Sequence, residues 1–138
     1  PVGNPKRDPT AGLLALRARA KVEIVFAIFS LTSRPITLML AGMAKHVAVR
    51  GIADNRQWSV QCDALVAAKV DLVRARKQHA AMHLKVAVVD RRSVALGSFN
   101  WTNNAEYRND EVLLTVTSPA LAVMLVDQID AARKANKP

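Results

Sequence analysis

The stretch that decides the fold is residues 82–100, M-H-L-K-V-A-V-V-D-R-R-S-V-A-L-G-S-F-N. Two apolar runs, 84–89 and 93–96, flank the polar triplet 90–92, a pattern typical of two strands joined by a tight turn. Elsewhere the chain alternates strand-like and helix-like segments. Consecutive strands at its centre therefore predict a mixed sheet rather than a purely parallel one.

The start of the first of these strands carries two polar side chains. Because side chains alternate across a strand, His83 and Lys85 project from the same face, about 6–7 Å apart along the chain. Leu84, Val86 and Val88 then occupy the opposite, core-facing side. A histidine and a lysine on an otherwise apolar strand are costly to bury unless an anion meets them. The alternative is a structural histidine at a strand edge, which is the commoner case for a lone histidine.

Further polar groups follow the second strand. Ser98 and Asn100 come two residues apart directly after Gly97, where the backbone can turn sharply. Four polar groups able to contact a phosphate thus lie on two adjacent segments. Taken alone, Gly-Ser-x-Asn is a common turn composition, and the acidic residues that end at Glu111 are more often a solvated patch than a site.

Outward from this centre the chain alternates strands and helices. The predicted strands, from β-branched and alternating runs, are 22–29, 47–53, 70–73, 84–89, 93–96 and 111–116. The predicted helices are 10–20, one from Pro35 onward, 58–69 and one from Pro119 onward, with a basic loop at 74–81 and a loop with a short helix at 97–107. This order predicts an α/β fold: a single-domain mixed β-sheet flanked by helices on both faces. A flexible arm, 1–10, would precede a catalytic domain, 11–138.

Charge narrows the class of partner. The net charge is +9, from 20 Lys and Arg against 11 Asp and Glu, and basic residues concentrate between Lys69 and Arg92. Such a balance favours a polyanion, either nucleic acid or an anionic membrane surface, with solubility alone as the alternative. The end of the last helix carries Arg133, Lys134 and Lys137, which would complement the helix dipole.

Other classes are excluded by composition. The longest apolar stretches, such as 24–29, are strand-sized and too short to cross a bilayer, so no stable membrane insertion is expected. The single cysteine, Cys62, excludes an intrachain disulfide and any multi-cysteine zinc site. It lies in a predicted helix, where a free cysteine is a small packing residue.

The complete pattern resembles a known signature. His83-x-Lys85-x4-Asp90-x6-Gly97-Ser98-x-Asn100 is similar to the full motif of the phospholipase D superfamily. Its continuation, Trp101-Thr102-x-x-Ala105-Glu106-x-x-Asn109-x-Glu111, resembles the small single-motif Nuc-type bacterial endonuclease branch, which is close to the mitochondrial cardiolipin hydrolase group. Upstream, Phe29-Ser30-Leu31-Thr32-Ser33 resembles a strand end of the same branch. The resemblance covers about residues 11–130 and implies the phospholipase D/nuclease fold.

The resemblance also implies a role for each catalytic residue of the motif. His83 would be the nucleophile that attacks phosphorus and forms a covalent phosphohistidine intermediate. Lys85 and Asn100 would hold the non-bridging oxygens as charge develops, and Ser98 would support that grip. Glu111 would accept a hydrogen bond from the far ring nitrogen of His83 and so fix its tautomer.

Two motif residues are interpreted as structural. Positions 83, 85, 87 and 89 share one strand face, so Asp90 has the wrong parity to join His83 directly. We therefore predict that Asp90 is a turn residue rather than a proton carrier. Gly97 is expected to provide the sharp turn after the second strand.

The implied chemistry needs two histidines, one to attack and one to protonate the leaving oxygen and later activate water. This chain has one motif, and neither His46 nor His79 is followed by the Lys-x4-Asp pattern. We therefore predict a two-fold homodimer with His83 of both subunits at the interface. Neither a metal nor a cofactor is implied, because two-metal nucleases need converging carboxylates, whereas this site consists of His, Lys, Ser and Asn.

Three functions stay open at this point. The first is a metal-independent, non-specific endonuclease of DNA or RNA, which the resemblance and the charge favour. Arg56, Arg74, Arg76 and Lys77 would then follow the phosphate backbone, and Trp101 would either stack a base or belong to the core. The second is a phospholipase D-type hydrolase of an anionic phospholipid such as cardiolipin. The third is a nucleic-acid-binding module with a decayed site. Nuc-type relatives are often exported, which favours an exported or periplasmic location.

Overall fold

The sheet is organised around one buried strand. A computed structural model of the protein describes residues 9–76, 85–97, 101 and 113–138. Strand β1, Glu23–Ile28, is buried at five of its six positions. Its sequence is a continuous apolar run, which is what a strand covered on both faces requires.

Within the described residues, six strands form one mixed sheet in the order β3-β2-β1-β4-β5-β6. On one side of β1, strands β2, Ala48–Asp54, and β3, Asp71–Ala75, run parallel to it. On the other side lie β4, Lys85–Val89, β5, Ser93–Gly97, and β6, Leu113–Thr117, each antiparallel to its inner neighbour. The predicted mixed sheet is confirmed.

Helices cover both faces of the sheet. Helix α1, Pro9–Leu14, continues into a 3₁₀ turn, Ala15–Ala18, and is followed by α2, Arg34–Met43, α3, Val60–Ala67, and α4, Pro119–Asn136. Helices α1 to α3 pack on one face and α4 packs on the other. The α/β fold class predicted from the sequence is therefore confirmed.

Serine side chains set the start of three helices. Ser33, Ser59 and Ser118 adopt extended backbone angles, and each side chain accepts a hydrogen bond from the backbone N–H three residues later. This contact satisfies an N–H group that has no partner inside the helix. Pro35 and Pro119 stand in the first turns of α2 and α4, where a missing N–H costs nothing.

Some predicted boundaries shift. The first helix begins at Pro9, so the predicted arm loses its last two residues and Thr10 lies inside the helix instead of capping it. Strand β3 runs to Ala75, two residues further than predicted, so Arg74 belongs to the sheet and not to the basic loop. Pairing with β2 causes this extension, because Asp54 and Ala75 are still register partners.

Both faces of β4 are buried, not only the one predicted. Val86 and Val88 pack against α4, while Ala87 and Val89 pack in the layer of α1 to α3. The prediction of a single core-facing side was wrong because it treated the face of Lys85 as open. Lys85, half-buried, stands where that second face reaches the end of the strand.

The end of α4 carries a buried charge, whose role goes beyond the helix-dipole interaction predicted for it. The Arg133 side chain is 6% exposed and pairs with Asp71 at 2.6 Å. Its guanidinium also donates to the backbone carbonyls of Gly51 and Asp71 at 3.1 Å each. The hydrogen bond from Arg133 lowers the pKa of the Asp71 carboxyl. Arg133 therefore holds α4 against β2 and β3, while Lys134 is exposed.

Candidate active site

One end of the sheet gathers the described residues that flank the predicted site. The strands β1, β2, β3 and β5 end there, and β4 and β6 begin there. Ile28 pairs with Lys85, and Gly97 pairs with Leu113. We call this the site end of the sheet and the opposite one, where β4 turns into β5, the hairpin end. His83, Ser98, Asn100 and Glu111 lie outside the described residues, so their predicted roles stay predictions.

Lys85 is the first residue of β4 and the described member of the predicted phosphate-binding set. It is half-buried, and its ammonium lies 5.7 Å from the ring centroid of Phe29, which follows β1. A cation at this distance from an aromatic face is attracted to it. The ring and the neighbouring strand therefore hold a positive charge at the site end, two positions along the chain from His83.

Backbone hydrogen bonds of Trp101 connect the end of the Gly-Ser-x-Asn motif to the Phe-Ser-x-Thr-Ser stretch that follows β1. Its backbone N–H donates to the carbonyl of Ser30 at 3.1 Å, and its own carbonyl accepts from the N–H groups of Thr32 and Ser33 at 2.8 and 2.9 Å. The bonds form a parallel bridge between Trp101 and Leu31. The residue directly after the Gly-Ser-x-Asn motif is thus fixed to the segment that leaves β1.

The Trp101 ring is buried, which corrects its prediction as a base-stacking residue. It is 2% exposed and packs against Phe26, with ring centroids 5.5 Å apart. A base cannot reach a ring that is covered in this way, so the core interpretation holds. Space for Phe26 is provided by Gly51, where a Cβ would lie 2.6 Å from the ring.

The segment after β1 is fixed from its other side as well. Ser33 is fully buried, and its carbonyl accepts from the Thr37 hydroxyl at 2.8 Å. The Ser59 hydroxyl, at the start of α3, donates to the carbonyl of Leu31. Two helices therefore hold the Ser-x-Thr-Ser stretch against Trp101. This stretch, which resembles a strand end of the Nuc-type branch, connects these helices to the residue that follows the Gly-Ser-x-Asn motif.

Asp90 lies at the hairpin end, away from Lys85. Asp90 and Arg91 have φ values of 54° and 55°, and the N–H of Arg92 closes the turn onto Val89. Aspartate tolerates this left-handed conformation better than most residues. The sharp turn fits the structural role expected of Asp90.

The Asp90 carboxylate ties the hairpin to the start of β1. It accepts three backbone N–H groups, from Lys21 at 2.9 Å, Val22 at 2.8 Å and Glu23 at 2.9 Å. Burial opposes ionisation, but these three donors outweigh it and hold the pKa of Asp90 below its ordinary value. The carboxylate is thus occupied by main-chain contacts.

The predicted nucleic-acid-binding arginines fall into two groups. Arg56 and Arg76 are exposed; Arg56 lies two residues after the end of β2, and Arg76 directly follows β3, both at the site end. Arg74 is half-buried, with its guanidinium carbon 4.3 Å from the ring centroid of Trp58. Lys77 lies outside the described residues. The sequence interpretation overlooked Trp58, although an aromatic side chain between polar residues next to a strand end was a usable signal.

In the described part of the chain, no helix is long and apolar enough to cross a membrane. Among the same residues, no group of three or more His, Cys, Asp or Glu side chains is arranged to hold a metal ion. His83 and Glu111 do not belong to this described part.

Comparison with known proteins assigns this fold to a family. Residues 13–133 match the family model described as cardiolipin synthase, PLD-like domain. This chain therefore belongs to the phospholipase D superfamily of phosphodiester hydrolases.

Individual relatives show which members of the superfamily this chain is similar to. The chain is 36% identical over 107 residues to the mitochondrial cardiolipin hydrolase of Chlamydomonas reinhardtii, covering 75% of this chain and 48% of that protein. It thus spans about half the length of the curated relatives it matches. Among solved structures, it is similar to Nuc from Salmonella typhimurium, a phospholipase D family member, with a TM-score of 0.84, 25% identity, and coverage of 96% of this chain and 91% of that one. NucT from Helicobacter pylori shares the fold, with a TM-score of 0.79, 23% identity, and coverage of 98% and 92%. The predicted Nuc-type branch is confirmed.

Proposed function

We propose that this protein is a metal-independent nuclease that cleaves the phosphodiester bonds of nucleic acid through His83. One observation carries the proposal. Trp101, which directly follows the Gly-Ser-x-Asn motif, is fixed by three backbone hydrogen bonds to the segment that leaves β1. Lys85 stands beside that segment, over Phe29. The packing thus supports a phosphate site at this end of the sheet.

The proposed reaction has two steps. A ring nitrogen of His83 attacks phosphorus, the bond to the leaving oxygen breaks, and a phosphohistidine forms. His83 of a second copy protonates the leaving oxygen and then takes a proton from the water that hydrolyses the intermediate. Lys85 and Asn100 stabilise the charge on the non-bridging oxygens, and Ser98 supports them. Glu111 orients His83 by accepting a hydrogen bond from the N–H of its other ring nitrogen.

Charge on the described surface supports nucleic acid as the substrate. The whole chain carries a net charge of +9. The exposed side chains of Arg56 and Arg76 follow β2 and β3 at the same end of the sheet as Lys85. Cations beside a phosphodiester site hold neighbouring phosphates of a polymeric substrate and contribute affinity without reading sequence.

The test is cleavage of plasmid and single-stranded DNA and RNA in excess EDTA. We expect wild-type protein to cut and His83→Ala to lose at least about a thousandfold in rate, in line with the loss of a principal catalytic group. His46→Ala is the matched control, because His46 is exposed and lies at the hairpin end. Equal rates for wild type and His83→Ala would remove the mechanism. A phosphorylated peptide containing residue 83, trapped during turnover, would show the covalent step directly.

The proposed homodimer makes its own prediction. If each active site needs His83 from both subunits, only wild-type pairs are active. After subunit exchange between wild type and His83→Ala, the rate should fall with the square of the wild-type fraction. A linear fall would mean that each subunit works alone. Sedimentation velocity checks that the protein is dimeric at the assay concentration.

A second candidate is hydrolysis of an anionic phospholipid. It is favoured by the curated relatives, which are named mitochondrial cardiolipin hydrolases. The same residues would serve, since both substrates are phosphodiesters. Vesicles that contain cardiolipin distinguish the two. Release of phosphatidic acid that depends on His83, in protein that leaves nucleic acid intact, would establish the lipid hydrolase in place of the nuclease.

A further inference from the structure

A groove runs beside β3, the strand at one margin of the sheet. Its volume is about 570 Å³, and its polar lining includes Trp58, Asp63, Asp71, Arg74, Arg76 and Lys137. Arg76 directly follows β3, so the groove reaches the site end of the sheet. At its other extreme lie Lys137, after α4, and Asp71, the first residue of β3. We call this cavity the β3 groove.

The groove contains an aromatic ring with a cation held over it. The Arg74 guanidinium carbon lies 4.3 Å from the Trp58 ring centroid. The indole Nε1–H donates to Asp63 at 2.8 Å, which fixes the ring in the groove wall. The Nε of Arg74 is buried and has no hydrogen-bond partner among the described residues. A planar guanidinium held over an indole ring is suited to stacking with a planar ligand.

The carboxylates of the groove are already engaged. Asp63 accepts from the Trp58 indole, and Asp71 pairs with Arg133 at 2.6 Å and with Lys137 at 3.8 Å. Arg76 is exposed at the mouth nearest the site end. Among the described residues, the lining carries three cations, Arg74, Arg76 and Lys137, against two side-chain carboxylates, of which Asp71 is also paired with Arg133. The groove therefore favours a ligand with negative charge.

We infer that the β3 groove binds an unpaired segment of the nucleic-acid substrate, with a base on the Trp58–Arg74 pair and the adjacent phosphates on Arg76. The inference rests on the proposed function for the identity of the polymer. Stacking on an aromatic side chain requires a base whose faces are free, a condition that single strands meet and an intact duplex does not. The groove would thus give the enzyme a preference for single-stranded substrate.

Fluorescence tests this binding without turnover. Trp58 lines the groove, whereas Trp101 is 2% exposed, and the chain has these two tryptophans. The His83→Ala chain should show quenched tryptophan emission when titrated with a short oligothymidylate. The same titration of a His83→Ala, Trp58→Phe chain should leave the emission unchanged, because the remaining ring is enclosed. Equal quenching in both chains would overturn the inference.

Affinity provides the second measurement. Fluorescence anisotropy of labelled oligothymidylate should show binding about 5- to 100-fold weaker for Trp58→Leu, as for loss of one stacked base. Arg74→Gln is a second variant of the same stacked pair, measured in case Trp58→Leu does not fold. We expect Arg74→Gln to weaken binding as well. Arg76→Gln should weaken binding and reduce its salt dependence. Arg19→Gln, the same charge change on an exposed arginine at the hairpin end, is the matched control. If Arg19→Gln weakens binding as much as Arg76→Gln does, the loss of affinity is due to net charge, and the groove is not the binding site.

The two proposals fail separately. Quenching through Trp58 in a protein that cuts no nucleic acid would retain the β3 groove and remove the nuclease. Cleavage with unchanged single-strand preference in Trp58→Leu and Arg74→Gln would retain the nuclease and remove the groove. A duplex that binds the groove as tightly as the oligothymidylate would also overturn the inference.

Discussion

The two ends of β4 carry residues of one sequence motif but differ in what those residues contact. At the site end, the Lys85 ammonium lies over the Phe29 ring at the start of the strand. At the hairpin end, the Asp90 carboxylate accepts three backbone N–H groups and closes the link to β1. The motif therefore combines a residue that we propose acts in the chemistry with one that holds the architecture, five positions apart in the chain.

The difference teaches how the motif should be tested. A residue that meets substrate should change rate without changing stability, whereas a residue that satisfies backbone groups should do the opposite. Loss of activity alone does not separate the two roles, because an unfolded protein is inactive too. Each variant is therefore judged on both rate and free energy of unfolding.

Between the two ends of β4, the largest effect is expected at Lys85. Lys85→Gln should reduce the cleavage rate about 100- to 1,000-fold, the usual result of removing one group that stabilises developing charge. The melting temperature should stay within a few degrees, since Lys85 is half-buried at a strand terminus. Initial rates on plasmid DNA and thermal denaturation by circular dichroism provide the two readouts. A rate close to wild type would place Lys85 outside the chemistry.

Next in size is Asp90→Ala. Three backbone N–H groups lose a charged acceptor, to which one hydrogen bond contributes roughly 1.5–3 kcal/mol. Because two of these N–H groups are exposed and can bond to water instead, we expect about 2–4 kcal/mol of lost stability in total. Urea denaturation measures the loss. Under conditions where the variant is folded, the cleavage rate should stay within about tenfold of wild type. A far larger loss of rate in folded protein would contradict the difference between the two ends of β4 and would give Asp90 a role in the chemistry.

A third variant disturbs the site end through packing. The added methyl of Gly51→Ala would lie 2.6 Å from Phe26, the ring against which Trp101 packs. We expect about 1–3 kcal/mol of destabilisation, typical of overpacking. Gly42→Ala is the control, because no atom lies within 4 Å of its Cβ and alanine favours a helix by up to about 1 kcal/mol. Equal stability of the two variants would mean that Gly51 is not required for the junction at Trp101.

The smallest effect is expected on the stability of the folded protein at acid pH. The pKa of Asp90 is lowered in the folded protein, so its contribution to stability is present above the ordinary carboxyl pKa of 3.8 and is lost as pH falls through the lower folded value. Asp90→Asn should therefore flatten the decline of stability between about pH 5 and pH 2. Lys85→Gln should keep the wild-type slope. Melting temperatures across this range provide the measurement, and parallel curves for wild type and Asp90→Asn would contradict the assignment.

Local pattern was enough to predict the sheet, its helices and the signature motif. The alternation from residue 84 to 96 predicted the central hairpin, and apolar spacing predicted most of the helices. These features follow from periods of two and 3.6 residues, which any short window of sequence displays. The roles of His83 and its partners rest on resemblance and await the rate measurements.

Contacts between distant segments could not be obtained in this way. Trp101 was open to two interpretations, and its burial depends on Phe26, which has room only because Gly51 is its register partner. Arg133 looked like a dipole residue, yet it pairs with Asp71 sixty-two positions earlier. Neither partner is visible within one helix or strand.

The sequence by itself determined the class of fold, the family and the residues that are candidates for chemistry, because composition, periodicity and motif spacing are properties of short segments. The tertiary structure decided which end of β4 faces the site and which end Asp90 closes. It also decided that Trp101 belongs to the core and Trp58 to a groove. The physical reason is that burial and charge pairing depend on sheet register, which brings residues far apart in the chain into contact, such as Phe26 with Trp101 and Asp71 with Arg133.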